Sequence, residues 1–157
     1  MEKVRVEEVE SRAGPADVKR PLTTALGATD LAVNYFELAP GDSFAFGYHA
    51  HSDQEEVFYV QSGTVTFETE EGQVEVSSGE LVRFAPGEYQ RGVNEAENDS
   101  RAVALALGAP QESGDLDLRR ECSDCGDRTS NTVQRADEGA GLVTICEECG
   151  AETGRFE

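Results

Sequence analysis

The stretch GDSFAFGYHAHSDQEEVFYVQSG, residues 41–63, contains both histidines of the chain and decides how its fold is interpreted. Residues two apart on a β-strand project from the same face, so His49 and His51 point together to one side. A turn follows, and a new strand that begins at Glu56 can bring a carboxylate across to the two imidazoles. The spacing predicts a metal site made of two histidines and one carboxylate.

Short alternating segments, separated by turn residues, continue on both sides of this stretch from residue 31 to residue 108. Such segments, with turn signals about every eight to twelve positions, are typical of a β-sandwich or barrel. They predict eight strands, over residues 31–38, 43–51, 56–61, 64–69, 73–76, 81–84, 89–94 and 101–107. Eight strands favour a double sheet that closes on itself.

Two segments of this region resemble the two sequence motifs of the cupin superfamily. Residues 41–63 resemble the first motif, Gly-x5-His-x-His-x(3,4)-Glu-x6-Gly, with Ser43 in place of the leading glycine. Residues 79–94, GELVRFAPGEYQRGVN, resemble the second motif, Gly-x5-Pro-x-Gly-x2-His-x3-Asn. In this second segment Pro86 is displaced by one position, and Gln90 stands where the motif has its histidine.

The resemblance implies an all-β fold, the cupin double-stranded β-helix or jelly-roll barrel. It also implies that His49, His51 and Glu56 hold a divalent metal, with Fe, Mn, Ni and Zn as the candidates. Cupins are often dimers, so the resemblance implies a homodimer as well.

Gln90 is the most informative departure from the motifs, because an amide oxygen is a neutral and weaker metal donor than imidazole. In one interpretation Gln90 is a fourth ligand, in a set that suits Fe(II) or Mn(II). In another it leaves a coordination position open and holds a substrate or a water molecule. In a third it marks a barrel whose metal site has decayed.

Alternation along the strand that carries the histidines also predicts its surroundings. Ala45 and Gly47 share the histidine face and should leave open space beside the metal. Phe44, Phe46 and Tyr48 occupy the opposite face, which is too apolar to stay exposed, so another strand, the N-terminal segment or a second subunit must cover it. The same alternation predicts that Arg83 and Arg91 point outward as surface arginines rather than as anion clamps in the barrel.

The four cysteines form two C-x2-C pairs near the C-terminus, Cys122 with Cys125 and Cys146 with Cys149, separated by twenty residues. This spacing is typical of structural zinc sites in which four thiolates close a tetrahedron. A short segment cannot bury enough apolar surface to fold alone, so zinc would supply much of its folding free energy. The segment resembles a zinc ribbon, and a redox role is disfavoured because no βαβ context surrounds the cysteines.

These features divide the chain into four parts. Residues 1–20 are an N-terminal strand and loop segment, in which residues 2–10 form an edge strand. Residues 21–110 are the barrel, residues 111–118 a polar and turn-rich linker, and residues 119–157 the zinc ribbon.

The composition is acidic and poor in lysine, with 32 Asp and Glu residues, 13 Lys and Arg residues and a formal charge of -19. Such a surface resembles that of cytosolic proteins from extreme halophiles, and an acidic patch for a basic partner is the alternative. Residues 121–157 of the ribbon carry nine acids and three arginines, which disfavours nucleic acid and favours a protein partner or a purely stabilising role. No signal peptide or membrane span is evident, so we expect a cytoplasmic protein without a membrane partner.

Two functions remain open from the sequence. The first is an enzyme, a metal-dependent dioxygenase or isomerase that acts on a small molecule in the barrel. The second is a non-catalytic module that binds a metabolite and signals through the ribbon. A charged acid or base beside the metal would favour the enzyme, but the sequence offers only Glu88 and Tyr89 as marginal candidates.

Overall fold

A computed structural model of the chain describes residues 1–137 and 141–157, and β-strands dominate this part. The N-terminal region contains a 3-10 turn, Val6–Glu8, and one short helix, α1, Leu22–Leu26. The strands of the first region are β1 Val18–Pro21, β2 Ala32–Leu38, β3 Tyr48–His51, β4 Glu55–Ser62, β5 Thr64–Thr69, β6 Gly72–Ser77, β7 Leu81–Phe84, β8 Gln90–Val93 and β9 Ala102–Ala109. The strands of the second region are β10 Leu116–Cys122, β11 Asp127–Arg135, β12 Leu142–Cys146 and β13 Glu152–Phe156.

The strands form two antiparallel sheets. The first has the order β1-β2-β9-β4-β7, and the second has the order β13-β12-β11-β10-β3-β8-β5-β6. The sheets enclose one apolar core, so the predicted all-β jelly-roll barrel is confirmed, and the C-terminal strands are compatible with the predicted ribbon. Of the helices in the described part of the chain, none has the length and apolar character that crossing a bilayer requires.

Phenylalanine rings fill the interior of the barrel. Phe44 lies at the centre, with its ring centroid 4.8 Å from that of Phe58 and 5.0 Å from that of Phe36. Phe67 is fully buried and packs against Phe58 at 5.1 Å. This core belongs to the barrel alone, so the barrel has a source of stability that is separate from any metal.

Two residues of the sequence motifs have structural roles. Gly63 adopts a φ of 76°, and a Cβ at this position would lie 2.7 Å from the carbonyl oxygen of Arg101, so only glycine fits the turn between β4 and β5. Asn94 is completely buried and donates hydrogen bonds from its amide to the carbonyl oxygens of Leu38 and Ser100, both at 2.9 Å. Gly63 lies at the end of β4 and Asn94 at the end of β8, so both residues fix the chain next to strands that carry candidate site residues.

The predicted linker differs from the structure in its second half. Residues 116–118 are the start of β10, which pairs in antiparallel register with β3, placing Leu118 opposite His49 and Leu116 opposite His51. The polar, turn-rich composition ends at residue 115, and the alternation that follows is that of a strand. An open edge of β3 would leave backbone groups unpaired, and β10 pairs with them. The ribbon strands therefore continue the sheet that carries the histidines.

The N-terminal segment also differs from its prediction. Residues 2–10 contain the 3-10 turn and no strand, whereas β1 crosses the predicted boundary at residue 20 and pairs with β2. Arg20 donates hydrogen bonds to the backbone carbonyl oxygens of Glu7 and Val9, which holds the segment against β1. In residues 2–10 valines alternate with charged residues, and this two-residue spacing, which is also that of a β-strand, led to the prediction of a strand.

Candidate metal centres

The two histidines lie side by side on β3, as their spacing predicts. The imidazole of His49 is 5% exposed, and its ring centroid lies 5.1 Å from that of His51. His49 Nδ1 lies 3.0 Å from the carbonyl oxygen of Gly47, so that nitrogen donates a hydrogen bond and Nε2 remains free to bind a metal. A backbone carbonyl thus orients the ligand nitrogen into the barrel.

Glu56 reaches the imidazoles from the opposite sheet. It lies in β4 and pairs with Phe84 of β7 and Gly108 of β9. Its Oε2 atom lies 3.9 Å from His49 Nε2 and 3.6 Å from His51 Nε2. The site therefore spans both sheets, and the turn between β3 and β4 is what brings the carboxylate across.

These three atoms can hold one metal ion. All three ligand atoms lie within 4.8 Å of one another. Metal–ligand bonds of about 2.1 Å place adjacent ligand atoms about 3.0–3.4 Å apart, depending on whether the geometry is octahedral or tetrahedral. The two separations from the Glu56 oxygen, 3.9 and 3.6 Å, lie close to these values, so the donor set fits a divalent metal.

Gln90 completes the cluster from β8, where it pairs with His49. It is 1% exposed, and its Nε2 atom donates a hydrogen bond to Glu56 Oε2 at 3.0 Å and lies 3.3 Å from His49 Nε2. Its Oε1 atom is buried and accepts no hydrogen bond from the described residues. The amide therefore lies beside the three ligand atoms with half of its hydrogen-bonding capacity unused.

Burial changes the protonation of the ligand side chains. It lowers the pKa of His49 from 6.5 to about 4, and it lowers the pKa of His51 as well. Burial raises the pKa of Glu56 from 4.5 to about 6, with smaller opposing effects from the Gln90 hydrogen bond and the charge of Lys19. Both imidazoles are therefore neutral at pH 7, as metal binding requires, and Glu56 is the last ligand to lose its proton as the pH rises.

A cavity of about 190 Å³ opens beside the three ligand side chains. It is smaller than the roughly 300–1,000 Å³ of pockets for drug-sized ligands, so it suits a compact ligand. Its lining is mainly apolar, with a few polar groups; besides the three ligands it consists of Lys19, Asn34, Phe36, Phe44, Ala45, Phe46, Phe58, Ala106, Leu116 and Leu118.

Lys19 is a candidate functional residue that the sequence analysis did not identify. It lies in β1 opposite Phe36, with Nζ 5.5 Å from the Phe36 ring centroid, and its side chain lines the cavity. Burial lowers the pKa of Lys19, the charge of Arg12 lowers it further, and the charge of Glu56 raises it. No carboxylate of the described residues forms an ion pair with it. One signal was available, because Lys19 is one of only two lysines in the chain.

The sequence candidates for an acid or base lie elsewhere. Glu88 is exposed and accepts a hydrogen bond from the backbone nitrogen of Ala85 at 2.6 Å. The Tyr89 hydroxyl donates a hydrogen bond to Asp117 on the outside of the barrel. Neither side chain lines the cavity beside the histidines, because alternation along the chain near β8 turns the neighbours of Gln90 outward.

The predicted surroundings of the histidines are partly wrong. Ala45 lines the cavity, but a Cβ on Gly47 would lie 2.7 Å from the carbonyl oxygen of Arg119, so Gly47 serves the close approach of β10 and leaves no open space. Residues 43–47 precede β3 and are not part of it, so strict alternation fails there. Phe44 enters the barrel core, and the ring of Phe46 contacts that of Phe156, with 5.0 Å between the centroids.

The four cysteines form the second candidate metal centre. The Sγ atoms of Cys122 and Cys149 are 3.5 Å apart, and those of Cys125 and Cys146 are 3.9 Å apart. A tetrahedral zinc with Zn–S bonds of about 2.3 Å requires sulfur separations of about 3.8 Å, so the geometry fits. Gly126 and Gly150 each donate a backbone hydrogen bond to the first cysteine of their pair, which makes two equivalent knuckles.

The hydroxyl of Thr129 stabilises one of these sulfur atoms. Its Oγ1 atom lies 3.1 Å from Cys146 Sγ. This hydrogen bond, followed by backbone hydrogen bonds from the second knuckle, lowers the pKa of the Cys146 thiol from 9.0 to about 6. Cys146 is thereby prepared to act as a thiolate ligand.

The fold and the three clustered side chains define a class of jelly-roll barrels with a candidate metal site at their centre. The sequence model of the family described as Cupin domain matches residues 34–106. Together with the fold, this match supports a cupin domain at residues 34–106.

Solved structures show the same fold at low sequence identity. A sugar phosphate isomerase of the cupin superfamily from Silicibacter pomeroyi is 17% identical, with a TM-score of 0.59, covering 99% of this chain and 90% of that one. A polyketide cyclase from Streptomyces resistomycificus is 23% identical, with a TM-score of 0.64, covering 79% and 89%. A predicted oxalate decarboxylase from Thermotoga maritima is 19% identical, with a TM-score of 0.58, covering 69% and 98%. No curated protein matches the sequence significantly.

Proposed function

We propose that the barrel binds a divalent metal through His49, His51 and Glu56 and binds a compact anionic molecule beside it. The observation that carries the proposal is the presence of Lys19 in the cavity that these ligands share. A cation without an ion-pair partner, held in a mainly apolar cavity, is stabilised by a ligand of opposite charge. A divalent metal at this site would act as a Lewis acid that polarises an oxygen of the bound molecule.

Each polar side chain has a defined task in this proposal. His49 and His51 present neutral Nε2 atoms, and Glu56 supplies the carboxylate that offsets the charge of the metal. Lys19 binds an anionic group of the ligand, while the phenylalanine rings exclude water from the rest of it. Gln90 acts as the fourth ligand once its amide turns so that Oε1 faces the imidazoles, and otherwise it orients the bound molecule.

The reaction class we propose is oxidation by O₂ or isomerisation of this small anionic molecule. Cupin-fold neighbours described as a sugar phosphate isomerase, a polyketide cyclase and a predicted oxalate decarboxylase support chemistry in such a barrel. Fe, Mn, Ni and Zn are the candidate metals. The homodimer stays a prediction, because Phe156 already covers Phe46 and that face does not call for a second subunit.

A second function has one specific observation in its favour. Strand β10 pairs with the histidine strand β3 at one end and supplies Cys122 at the other. A non-catalytic sensor, in which ligand binding in the barrel is transmitted to a protein partner of the ribbon, would use such a shared strand. In either case we propose that the four cysteines hold a structural zinc ion.

The first experiment measures the metals bound to protein purified without oxygen. We expect one zinc ion per chain from the ribbon and a second metal from the barrel. The double variant His49→Ala, His51→Ala should retain the zinc and lose the second metal. A native protein that holds only the ribbon zinc would overturn the proposal. A separate measurement of O₂ uptake with candidate carboxylates would distinguish oxidation from isomerisation and from binding without reaction.

The second experiment tests Lys19. Binding of small carboxylates to the metal-loaded protein should weaken by about tenfold or more in Lys19→Gln, as expected for the loss of one charge-assisted hydrogen bond. The matched control is Lys3→Gln, which removes the only other lysine, an exposed one. Equal carboxylate affinity in the two variants would remove Lys19 from the proposal without affecting the metal site.

A further inference from the structure

Four arginines line a second cavity, on the outside of the barrel where it meets the ribbon. The cavity has a volume of about 260 Å³ and contains Arg91, Arg119, Arg120 and Arg128, together with Glu121 and Thr153. These are four of the eleven arginines in a chain whose formal charge is -19. Such a concentration of positive charge is unusual for this acidic surface. The ion pairs that each arginine forms show how much of this charge is already compensated.

Two of the four arginines already have carboxylate partners. Arg128 contacts Glu68 at 2.9 Å and Glu121 at 3.0 Å. Arg119 contacts Asp117 at 3.0 Å. Both therefore have most of their charge compensated and form the rim of the cavity.

The other two arginines have no carboxylate partner among the described residues. Arg120 donates hydrogen bonds from its terminal nitrogens to the backbone carbonyl oxygens of Phe46 and Thr153, the second at 3.0 Å. The Nε atoms of Arg91 and Arg120 are both buried, and within residues 1–137 and 141–157 neither has a hydrogen-bond acceptor. Burial lowers the pKa of Arg120, and the neighbouring charge of Arg91 lowers it further.

Two adjacent guanidinium groups without a carboxylate partner repel each other, and burying them is costly unless an anion compensates both charges. A tetrahedral phosphate has several oxygens and can accept from two guanidinium groups at once, whereas one carboxylate matches a single guanidinium fork. The chain has 32 carboxylate side chains, yet none of those described pairs with Arg91 or Arg120. The arrangement favours a phosphate dianion from solution.

We propose that Arg91 and Arg120 form a binding site for phosphate or for the phosphate group of a monoester, at the junction of barrel and ribbon. The site is distinct from the metal site, because Gln90 points into the barrel and Arg91, the next residue of β8, points outward. It draws on three strands, with Arg91 in β8, Arg120 in β10 and Thr153 in β13. A bound phosphate would therefore contact both regions of the chain.

The test is a titration of the full-length, metal-loaded protein with inorganic phosphate, followed by 31P NMR and calorimetry at constant ionic strength. Arg91→Gln should weaken phosphate binding by about tenfold or more, as expected for losing one charge-assisted interaction. The matched control Arg83→Gln removes an exposed arginine that pairs with Glu55 and should bind phosphate normally. Arg91→Lys keeps the charge and should give an intermediate affinity, which also covers the case in which Arg91→Gln does not fold.

Two further arms identify the ligand. Phenyl phosphate in place of inorganic phosphate shows whether a monoester is accepted, and acetate tests whether any anion suffices. The proposal is overturned if the native protein binds no phosphate, if Arg91→Gln binds as tightly as native, or if acetate binds equally well.

Discussion

The two candidate metal sites of this chain depend on their surroundings in opposite ways. The barrel ligands lie on strands that a separate core of phenylalanine rings holds in place. Among the described residues of the ribbon, 119–157, the only buried apolar side chain apart from the cysteines is that of Val143. The comparison predicts that the barrel folds without a metal, whereas the ribbon needs the zinc ion that we propose for its cysteines in order to fold.

The largest expected effect is the loss of the ribbon fold when its metal is removed. Structural zinc contributes roughly 10–16 kcal/mol of apparent binding free energy in small zinc domains, far more than one buried apolar side chain can replace. In Cys146→Ala we expect hydrogen exchange to show fast exchange in β11, β12 and β13 while the core strands of the barrel stay protected. If the amides of β12 stay protected from hydrogen exchange, the ribbon folds without its metal and does not differ from the barrel in this respect.

A core substitution in the barrel gives the next largest effect. Phe67 is fully buried, and Phe67→Ala should lower the free energy of unfolding of the barrel by roughly 3–5 kcal/mol through lost burial and a cavity. Circular dichroism during denaturant unfolding measures this loss. The control Leu81→Ala removes a side chain that is 63% exposed and should change stability by less than about 0.5 kcal/mol. Similar losses in both variants would show that the core does not carry the barrel.

The barrel strands and the metal ligands could be predicted because both signals are local. Seven of the eight predicted strands overlap the observed ones over most of their length, since alternation and turn residues are properties of adjacent positions. His49, His51 and Glu56 come from one short stretch, so the single turn between β3 and β4 was enough to bring them together across the two sheets. The exception, residues 43–47, fails because Phe44 turns into the core and Gly47 lies beneath β10.

The parts that could not be predicted depend on pairing between distant segments. Lys19 enters the cavity because β1 pairs with β2, and nothing near Lys19 in the sequence indicates that partner. The pairing of β10 with β3 likewise joins residues more than sixty positions apart, such as Leu116 and His51. A strand pattern shows that a segment needs a partner, but tertiary structure decides which one it finds.

The pH dependence of metal binding sharpens the barrel side of the comparison. The pKa of Glu56 is raised to about 6, while that of His49 is lowered to about 4, so Glu56 is the group that a proton occupies first as the pH falls. Metal affinity should fall about tenfold per pH unit below pH 6 and level off above it. Metal titrations between pH 5 and pH 7 test this, and Glu56→Gln should weaken binding and flatten the profile over the same window.

The same shifts act on the stability of the metal-free barrel with opposite signs. Glu56 has a raised pKa, so its contribution is complete below its ordinary value of 4.5 and is lost as the pH rises through about 6. His49 has a lowered pKa, so its contribution is complete above 6.5 and is lost as the pH falls through about 4. Between these limits the two effects partly cancel. A steep change in stability between pH 5 and pH 6 would contradict these pKa shifts.

A smaller effect tests whether residue 90 takes part in metal binding. Imidazole is a stronger donor than an amide for these metals, so Gln90→His should tighten binding of the barrel metal by about tenfold. Gln90→Leu should weaken it, because the buried site then loses an amide next to the metal. Competition with a chelator measures both affinities. Unchanged affinity in both variants would place Gln90 outside the coordination sphere and leave it as a structural hydrogen-bond donor to Glu56.

The smallest expected effect concerns the coupling between the barrel metal site and the cysteine site of the ribbon. Strand β3 has only two neighbours, and its pairing with β8 is limited to His49 and Gln90, so β10 provides most of its backbone hydrogen bonds. When the ribbon unfolds in Cys146→Ala, β10 should loosen, and the imidazoles should lose part of their orientation. We expect the barrel metal to bind roughly three- to tenfold more weakly, a loss at the lower end of that seen when the supports of metal ligands are removed.

The measurement is a chelator competition on Cys146→Ala, with hydrogen exchange on the same sample to show that β11, β12 and β13 have unfolded. Cys146 lies in β12, which does not pair with β3. The substitution therefore reaches the histidines through β10 and through two side-chain contacts, Phe156 with Phe46 and Arg128 with Tyr48. If the ribbon unfolds and the affinity of the barrel metal stays the same, β3 is held by the barrel alone. The segment before Cys122 would then act as the linker that its composition suggested, and a sensor that signals through β10 would lose its physical basis.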